Sequence, residues 1–212
     1  MTHGSHDLRL TTDIGPFAQT LLDLEATTAE AYDRFVFRGD PQLADEVRRV
    51  TFARGVADFS PPTARLLFDG DHGEPVGMLA LVPDTLFIER RRAAALAVGR
   101  VLHQHRATAV RERMAEAGAI SLKAEPGDLV LARIAIAKQA EGRGYGRWLI
   151  ERAADEARAL GCARLVLDVA ADNPRAFSLY SRSGFVELAR RTVSSPSSPE
   201  VELTYCHLAC PL

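Results

Sequence analysis

Apolar positions change their spacing early in the chain, from the short run at 8–11 to Phe17, Leu21 and Leu24, which share one helical face. The pattern predicts a strand followed by an amphipathic helix. Asp40-Pro41 supplies an N-cap and a first-turn proline, and Leu43, Val47 and Val50 continue the helical spacing, so a second helix follows. Pro61-Pro62 stops that pattern. Residues 64–69 and 75–82 then read as an antiparallel hairpin around the turn-forming Gly70-Asp71-His72-Gly73. From 84 to 119 the chain is rich in Ala and Arg. Its Leu96, Val101, Leu102, Val110 and Met114 predict one kinked helix or two.

Pro126-Gly127 breaks that stretch, and the apolar, β-branched segment 129–136 reads as a buried strand. Gly142 to Gly146 leads into a helix on which Leu149, Ala153, Ala157 and Leu160 share a face, ended by Gly161. Strand 164–169 follows. Strand, helix and strand form a βαβ crossover, which makes the two strands parallel and places the glycine loop at its first turn. Asn173-Pro174 starts another helix, which ends near Ser183 with Gly184 as its stop. Segments 186–193 and 201–209 read as final strands, joined by a mobile Ser/Pro-rich loop at 194–200.

Composition narrows the function classes. The 212 residues are 47% hydrophobic and 25% charged, which suits one globular domain over 1–212. With 28 acidic against 26 basic residues the net charge is -2, so nothing draws the chain to nucleic acid. No apolar run approaches the ~20 residues of a membrane span. His3, His6, Asp7 and Arg9 stand where a secretory signal needs an apolar core, which predicts a cytoplasmic protein. Three cysteines, Cys162, Cys206 and Cys210, form no even framework and suit reduced thiols. Among the basic residues only Lys123 and Lys138 are lysine, a skew that points to a G+C-rich bacterial coding sequence. No metal is expected: Cys206, His207 and Cys210 are too few for zinc, and His103 and His105 diverge on a helix.

The chemistry concentrates in the second half. Glu141-Gly142-Arg143-Gly144-Tyr145-Gly146-Arg147 packs three glycines between a strand and a helix, so backbone N–H groups can converge on an anion such as a diphosphate. Arg143 or Arg147 can add direct charge. A tight turn that binds nothing is the alternative. The glycine spacing matches neither G-x-G-x-x-G nor a P-loop. It does resemble the coenzyme A pyrophosphate signature of the GNAT superfamily, Gln/Arg-x-x-Gly-x-Gly/Ala, with Glu141 departing from the usual first residue. A second stretch, Asn173-Pro174-Arg175-Ala176-Phe177-Ser178-Leu179-Tyr180 through Gly184-Phe185, is similar to that superfamily's Asn-x-x-Ala-x-x-Leu-Tyr-x-x-x-Gly-Phe segment.

The resemblance runs from about 129 to 188 and implies an α/β fold with a mixed, mostly antiparallel twisted sheet flanked by helices. It implies an N-acetyltransferase that moves acetyl from acetyl-CoA to a primary amine by direct attack, with no acyl-enzyme. Ile134, Ala135 and Ile136 would pair with pantetheine like an added strand. Strands 129–136 and 164–169 would splay apart to leave main-chain groups for the cofactor. Asn173, with Ala176 and Phe177, would hold the pantetheine arm, and Tyr180 would protonate the leaving thiolate, as a phenol of pKa ~10 can. A plain N-cap for Asn173 and a packed aromatic for Tyr180 are the structural alternatives.

For the base, Asp168 lies on the opposite strand face from Leu165, Leu167 and Val169, where some relatives carry a Glu. Asp128 and Glu125 are weaker candidates. The main departure from the family pattern is a helical insertion at about 84–127 carrying Arg90, Arg91 and Arg92, for which packing or oligomer contact is the favoured role. The resemblance also admits a homodimer. Two rival readings remain at this level, a non-catalytic coenzyme A-binding domain and a nucleotide-binding module. The acceptor amine, small molecule or protein N-terminus, has no motif of its own.

Overall fold

The protein is described by a computed structural model covering residues 7–70, 73–195 and 198–212. In chain order it runs β1 (Leu8–Thr11), α1 (Ala18–Thr28), α2 (Glu30–Phe37), α3 (Pro41–Ala53), β2 (Ala64–Asp69), β3 (Gly77–Pro83), α4 (Asp84–Gln104) and α5 (Thr108–Ile120). Then come β4 (Asp128–Ile136), α6 (Tyr145–Ala159), β5 (Arg164–Ala170), α7 (Pro174–Arg182), β6 (Val186–Ser195) and β7 (Ser198–Pro211). Seven strands form one sheet in the order β1-β2-β3-β4-β5-β7-β6. Among the described residues only β4 and β5 are parallel neighbours; the other neighbouring strands are antiparallel. Among the described residues no helix is long and apolar enough to cross a membrane.

Two faces of the sheet are covered differently. On one, Leu149, Ala153 and Ala157 of α6 and Tyr180 of α7 pack on Leu79, Leu129, Leu131, Leu165 and Leu167. On the other, α1 buries Leu21 and Leu24 against Leu66, Met78 and Ala135. Helices α2 to α5 share a further core with Leu203 of β7. A fully buried leucine stabilises by about 1.5–3 kcal/mol, more than the ~0.3–1 kcal/mol an exposed helix start gains from an anion. Packing, not ligand, therefore fixes where the glycine loop sits.

Three details differ from the sequence pattern, and one alternative it left open is decided. The segment 30–37 forms a helix of its own that the periodicity did not announce. Its buried residues Phe35, Val36 and Phe37 are consecutive, so tertiary cover on all sides replaces a helical stripe. It ends where Arg38 and Gly39 turn left-handed, at φ 49° and 87°. Within the expected loop at 194–200, the described residues 194–195 and 198–200 are instead continued strand: β6 runs to Ser195, and Ser195 pairs with Ser198. The long β6–β7 ladder carries the chain further than Ser/Pro content suggests; Pro196 and Ser197 lie outside the described residues, as do Asp71 and His72 of the predicted hairpin turn. Leu160 caps α6 and is 58% exposed rather than sharing the buried face. The 84–119 stretch resolves into two helices, parted by Arg106 at φ 53°.

Candidate active site

The site begins with a failure of pairing. Strands β4 and β5 match over Asp128↔Arg164, Leu129↔Leu165 and Val130↔Val166, after which β4 continues to Ile136 and β5 to Ala170 without pairing to each other. Strand β4 also bulges: Leu81 faces Leu131 while Ala80 faces Arg133, which leaves Ala132 as the extra residue. A bulge inverts the alternation beyond it, and so a charged residue in an apolar strand, Arg133, turns to the side where α1 lies, bonding Glu25 at 3.0 Å. A cavity of about 940 Å³ occupies the gap.

One wall is the glycine loop. Gly142 and Gly144 hold φ of 78° and 86°, a left-handed backbone that a side chain strains. Helix α6 starts at Tyr145 with no side-chain cap. The backbone N–H groups of Gly142, Arg143, Gly144, Gly146 and Arg147 have no protein acceptor among the described residues. Unmatched donors gathered at a helix start form an anion cradle. Gly142, Gly144, Gly146 and Arg147 border the cavity, as do Ile134, Ala135 and Ile136 of β4. Gly146 packs close to α7, where an added Cβ would meet Leu179 at 3.1 Å.

The side chains around the loop play unequal parts. Glu141, at the cavity edge, pairs with Arg175 in the first turn of α7. Arg147 bonds Glu151 at 2.9 Å and is exposed. The Tyr145 ring is buried in the core and its hydroxyl donates to Asp69, so its phenol is committed away from the cradle. The structure does not bring Arg143 and Phe177 to the cavity wall: Arg143 lies 3.9 Å from Asp69, and Phe177 packs on the α6 core.

Helix α7 forms the second wall. Asn173 caps it, its side-chain oxygen accepting from the Ala176 N–H at 3.0 Å, and both residues line the cavity. Tyr180 lines it too, 6% exposed, its ring 5.5 Å from that of Phe185. Its hydroxyl makes no hydrogen bond to a described residue. Burial pushes this phenol well above its ordinary pKa, which keeps the proton on at neutral pH. The cavity thus joins unmatched amides to a neutral phenol.

Across the gap Asp168 faces the same space. One carboxylate oxygen accepts from the Leu122 N–H at 2.7 Å, and the other meets Nδ1 of the buried His207. With Nδ1–H donating, Nε2 of His207 is buried with no partner among the described residues. Asp128 and Glu125 stand away from the cavity, tied to Arg164 at 2.8 Å and 2.5 Å.

The remaining wall was only partly foreshadowed. Arg48 is buried between Glu25, Asp33 at 2.6 Å and Asp45 at 2.7 Å. Burial, outweighing the pull of Arg48, lifts the Asp33 carboxyl to about 6. Burial likewise lifts Tyr32 to about 12. The usable signal was a charge on an apolar face: Glu25 follows Leu21 by four, Arg48 follows Ala44 by four, and Arg133 interrupts 129–136. The insertion also borders the cavity, through Phe87, Arg91, Met114 and Leu122, so packing alone does not describe it. Its arginine triplet divides by helical rotation. Arg90 is buried on the carbonyls of Ala57, Ser60 and Pro61, Arg91 lines the cavity, and Arg92 is exposed.

The acetyltransferase (GNAT) family model matches residues 26–185. Mycothiol acetyltransferase of Jonesia denitrificans is 40% identical over 90 residues, which cover 42% of this chain and 29% of that protein. Spermidine N(1)-acetyltransferase of Vibrio cholerae is 43% identical over 56 residues, 26% of this chain and 32% of that one. The match therefore spans less than two thirds of either relative. An N-acetyltransferase from Staphylococcus aureus Mu50 superposes with a TM-score of 0.66 at 12% identity, over 95% of this chain and 99% of its own. A second acetyltransferase structure gives 0.61 at 19% identity, over 96% and 98%. At these identities the structural likeness speaks for the fold, and the family match, which spans most of the sequence, speaks for descent: the chain belongs to the GNAT family of acetyltransferases.

Proposed function

We propose that the protein transfers an acetyl group from acetyl-CoA to a primary amine by direct attack. The observation that carries this is one continuous cavity bordered at one end by the unmatched amides of the glycine loop and at the other by the buried Tyr180 hydroxyl. The amides receive the diphosphate. Main-chain groups of Ile134, Ala135 and Ile136, left unpaired by the β4–β5 gap, run beside the pantetheine arm, with Asn173 and Ala176 on its other side. Arg143 and Phe177, away from the wall, hold the loop and α7 in place.

In the reaction the amine nitrogen attacks the thioester carbon, the carbon–sulfur bond breaks, and the sulfur leaves with the electron pair. Tyr180 gives its proton to that sulfur. The proton lost by the amine passes to Asp168 directly or through one water, and the same anion draws an incoming ammonium toward the gap. No cysteine borders the cavity, and burial raises all three thiols, which supports transfer without an acyl-enzyme. Free thiols also suit a reducing cytoplasm as the setting, and the scarcity of lysine suits a bacterial one; a homodimer belongs to the same reading, and sedimentation measures it.

Acceptor-dependent thiol release from acetyl-CoA across an amine panel is the direct assay. Release that depends on amine and collapses in Tyr180→Phe is the expected result. Coenzyme A binding with no release from any amine would instead mark a non-catalytic coenzyme A domain.

A further inference from the structure

The α1–α2 side of the cavity contains more hydrogen-bond donors than the protein satisfies. Arg91, on α4, donates once to the Leu122 carbonyl at 3.3 Å and stacks over Phe87, yet it has no ion-pair partner among the described residues. Arg133, turned inward by the β4 bulge, shares Glu25 with Arg48 and donates to the Ala132 carbonyl at 2.6 Å. The hydroxyls of Tyr32 and Tyr205 bond to no described residue. All four side chains line the cavity. Tyr32 lies within electrostatic reach of both guanidiniums, and Tyr205 within reach of Tyr32 and Arg133.

A half-buried arginine facing a cavity without a counter-ion is costly unless something else brings the negative charge. Asp58 lies within electrostatic reach of both guanidiniums, is not bonded to any described residue through its side chain, and makes no ion pair with either. Burial favours its neutral form, so it offsets less of their charge. Two guanidinium forks and two protonated phenols suit a planar anion. The volume argues for a small partner, since about 940 Å³ must hold the pantetheine arm as well.

We infer that the acceptor is a small amine that also carries a carboxylate, received by Arg91 and Arg133 while its amino group points into the β4–β5 gap. This rests on the acetyl-transfer reading and adds the acceptor's class. It also gives the insertion a part in acceptor binding, because α4 supplies Arg91 and the segment after α5 supplies Leu122, which Arg91 holds by its carbonyl and Asp168 by its N–H.

The test compares matched acceptors by thiol release: amino acids and ω-amino acids, their amides, the corresponding decarboxylated amines, and aminoalkyl phosphates. The acid is expected to exceed its amide at least about ten-fold in kcat/KM. Arg91→Gln is expected to raise KM for the acid about ten-fold and bring acid and amide to within about three-fold of each other. Arg91→Lys, which keeps the charge, should restore part of the preference, and circular dichroism of both variants reports folding. Amides, decarboxylated amines or phosphates that match or exceed the acid would overturn the assignment while leaving acetyl transfer standing. So would an Arg91→Gln loss equal for acid and amide. Absence of thiol release from every amine would overturn both.

Discussion

At the scale of single residues, the site depends on groups whose protonation is set by burial. The Tyr180 hydroxyl has no partner among the described residues, so Tyr180→Phe removes a proton donor and breaks no hydrogen bond there. We expect kcat to fall about 10²-fold or more with KM for acetyl-CoA and the melting temperature little changed; a fall in Tm with intact kcat would return Tyr180 to the core. Asp33 gives a pH prediction. Its folded carboxyl sits at about 6, above the ordinary 3.8, so between those values the native state binds more protons than the unfolded one. Stability from this group therefore falls as pH rises from about 4 to 6. Asp33→Asn should flatten that part of the stability profile, read by urea unfolding at several pH values.

The elements place these residues through breaks in regular structure. A pairing gap, a one-residue bulge and a left-handed loop each release backbone or re-aim a side chain that an ideal sheet would have used up. Gly144→Ala tests the loop. At φ 86° an added Cβ has room but a strained backbone, costing about 1–2 kcal/mol. Relief of that strain would rotate the amides on either side. The expected outcome is weaker acetyl-CoA binding by calorimetry, with kcat at saturating cosubstrate less affected. Equal binding by the variant would separate the loop from the diphosphate.

For the whole molecule, the insertion is structurally continuous with the α1–β2 region. Arg90 satisfies the carbonyls of Ala57, Ser60 and Pro61 and the hydroxyl of Thr63. Its removal leaves several buried acceptors unmatched at once. Arg90→Ala should cost at least about 1–3 kcal/mol by chemical unfolding, and because Asp58 and Arg91 adjoin that turn, it should also raise KM for the acceptor. Helix α2 shows the same dependence on context. Phe35, Val36 and Phe37 form no stripe, and what makes that segment helical is the cover it receives from α5 and β7.

Local chemistry was legible in the sequence because it depends on neighbours along the chain. Glycines at 142, 144 and 146, the Asn173-Pro174 start and the apolar faces of α6 and β5 determined the crossover, the loop and Tyr180's helix. The cavity wall opposite the glycine loop and α7 was decided only by the tertiary structure. Glu25, Asp58, Arg91, Arg133 and Tyr205 come from separate elements, and no local periodicity relates them. Their meeting depends on a bulge that inverts a strand face and on an inserted helix pair folding back over the gap. Both are settled by long-range packing, whose energy no short window of sequence contains.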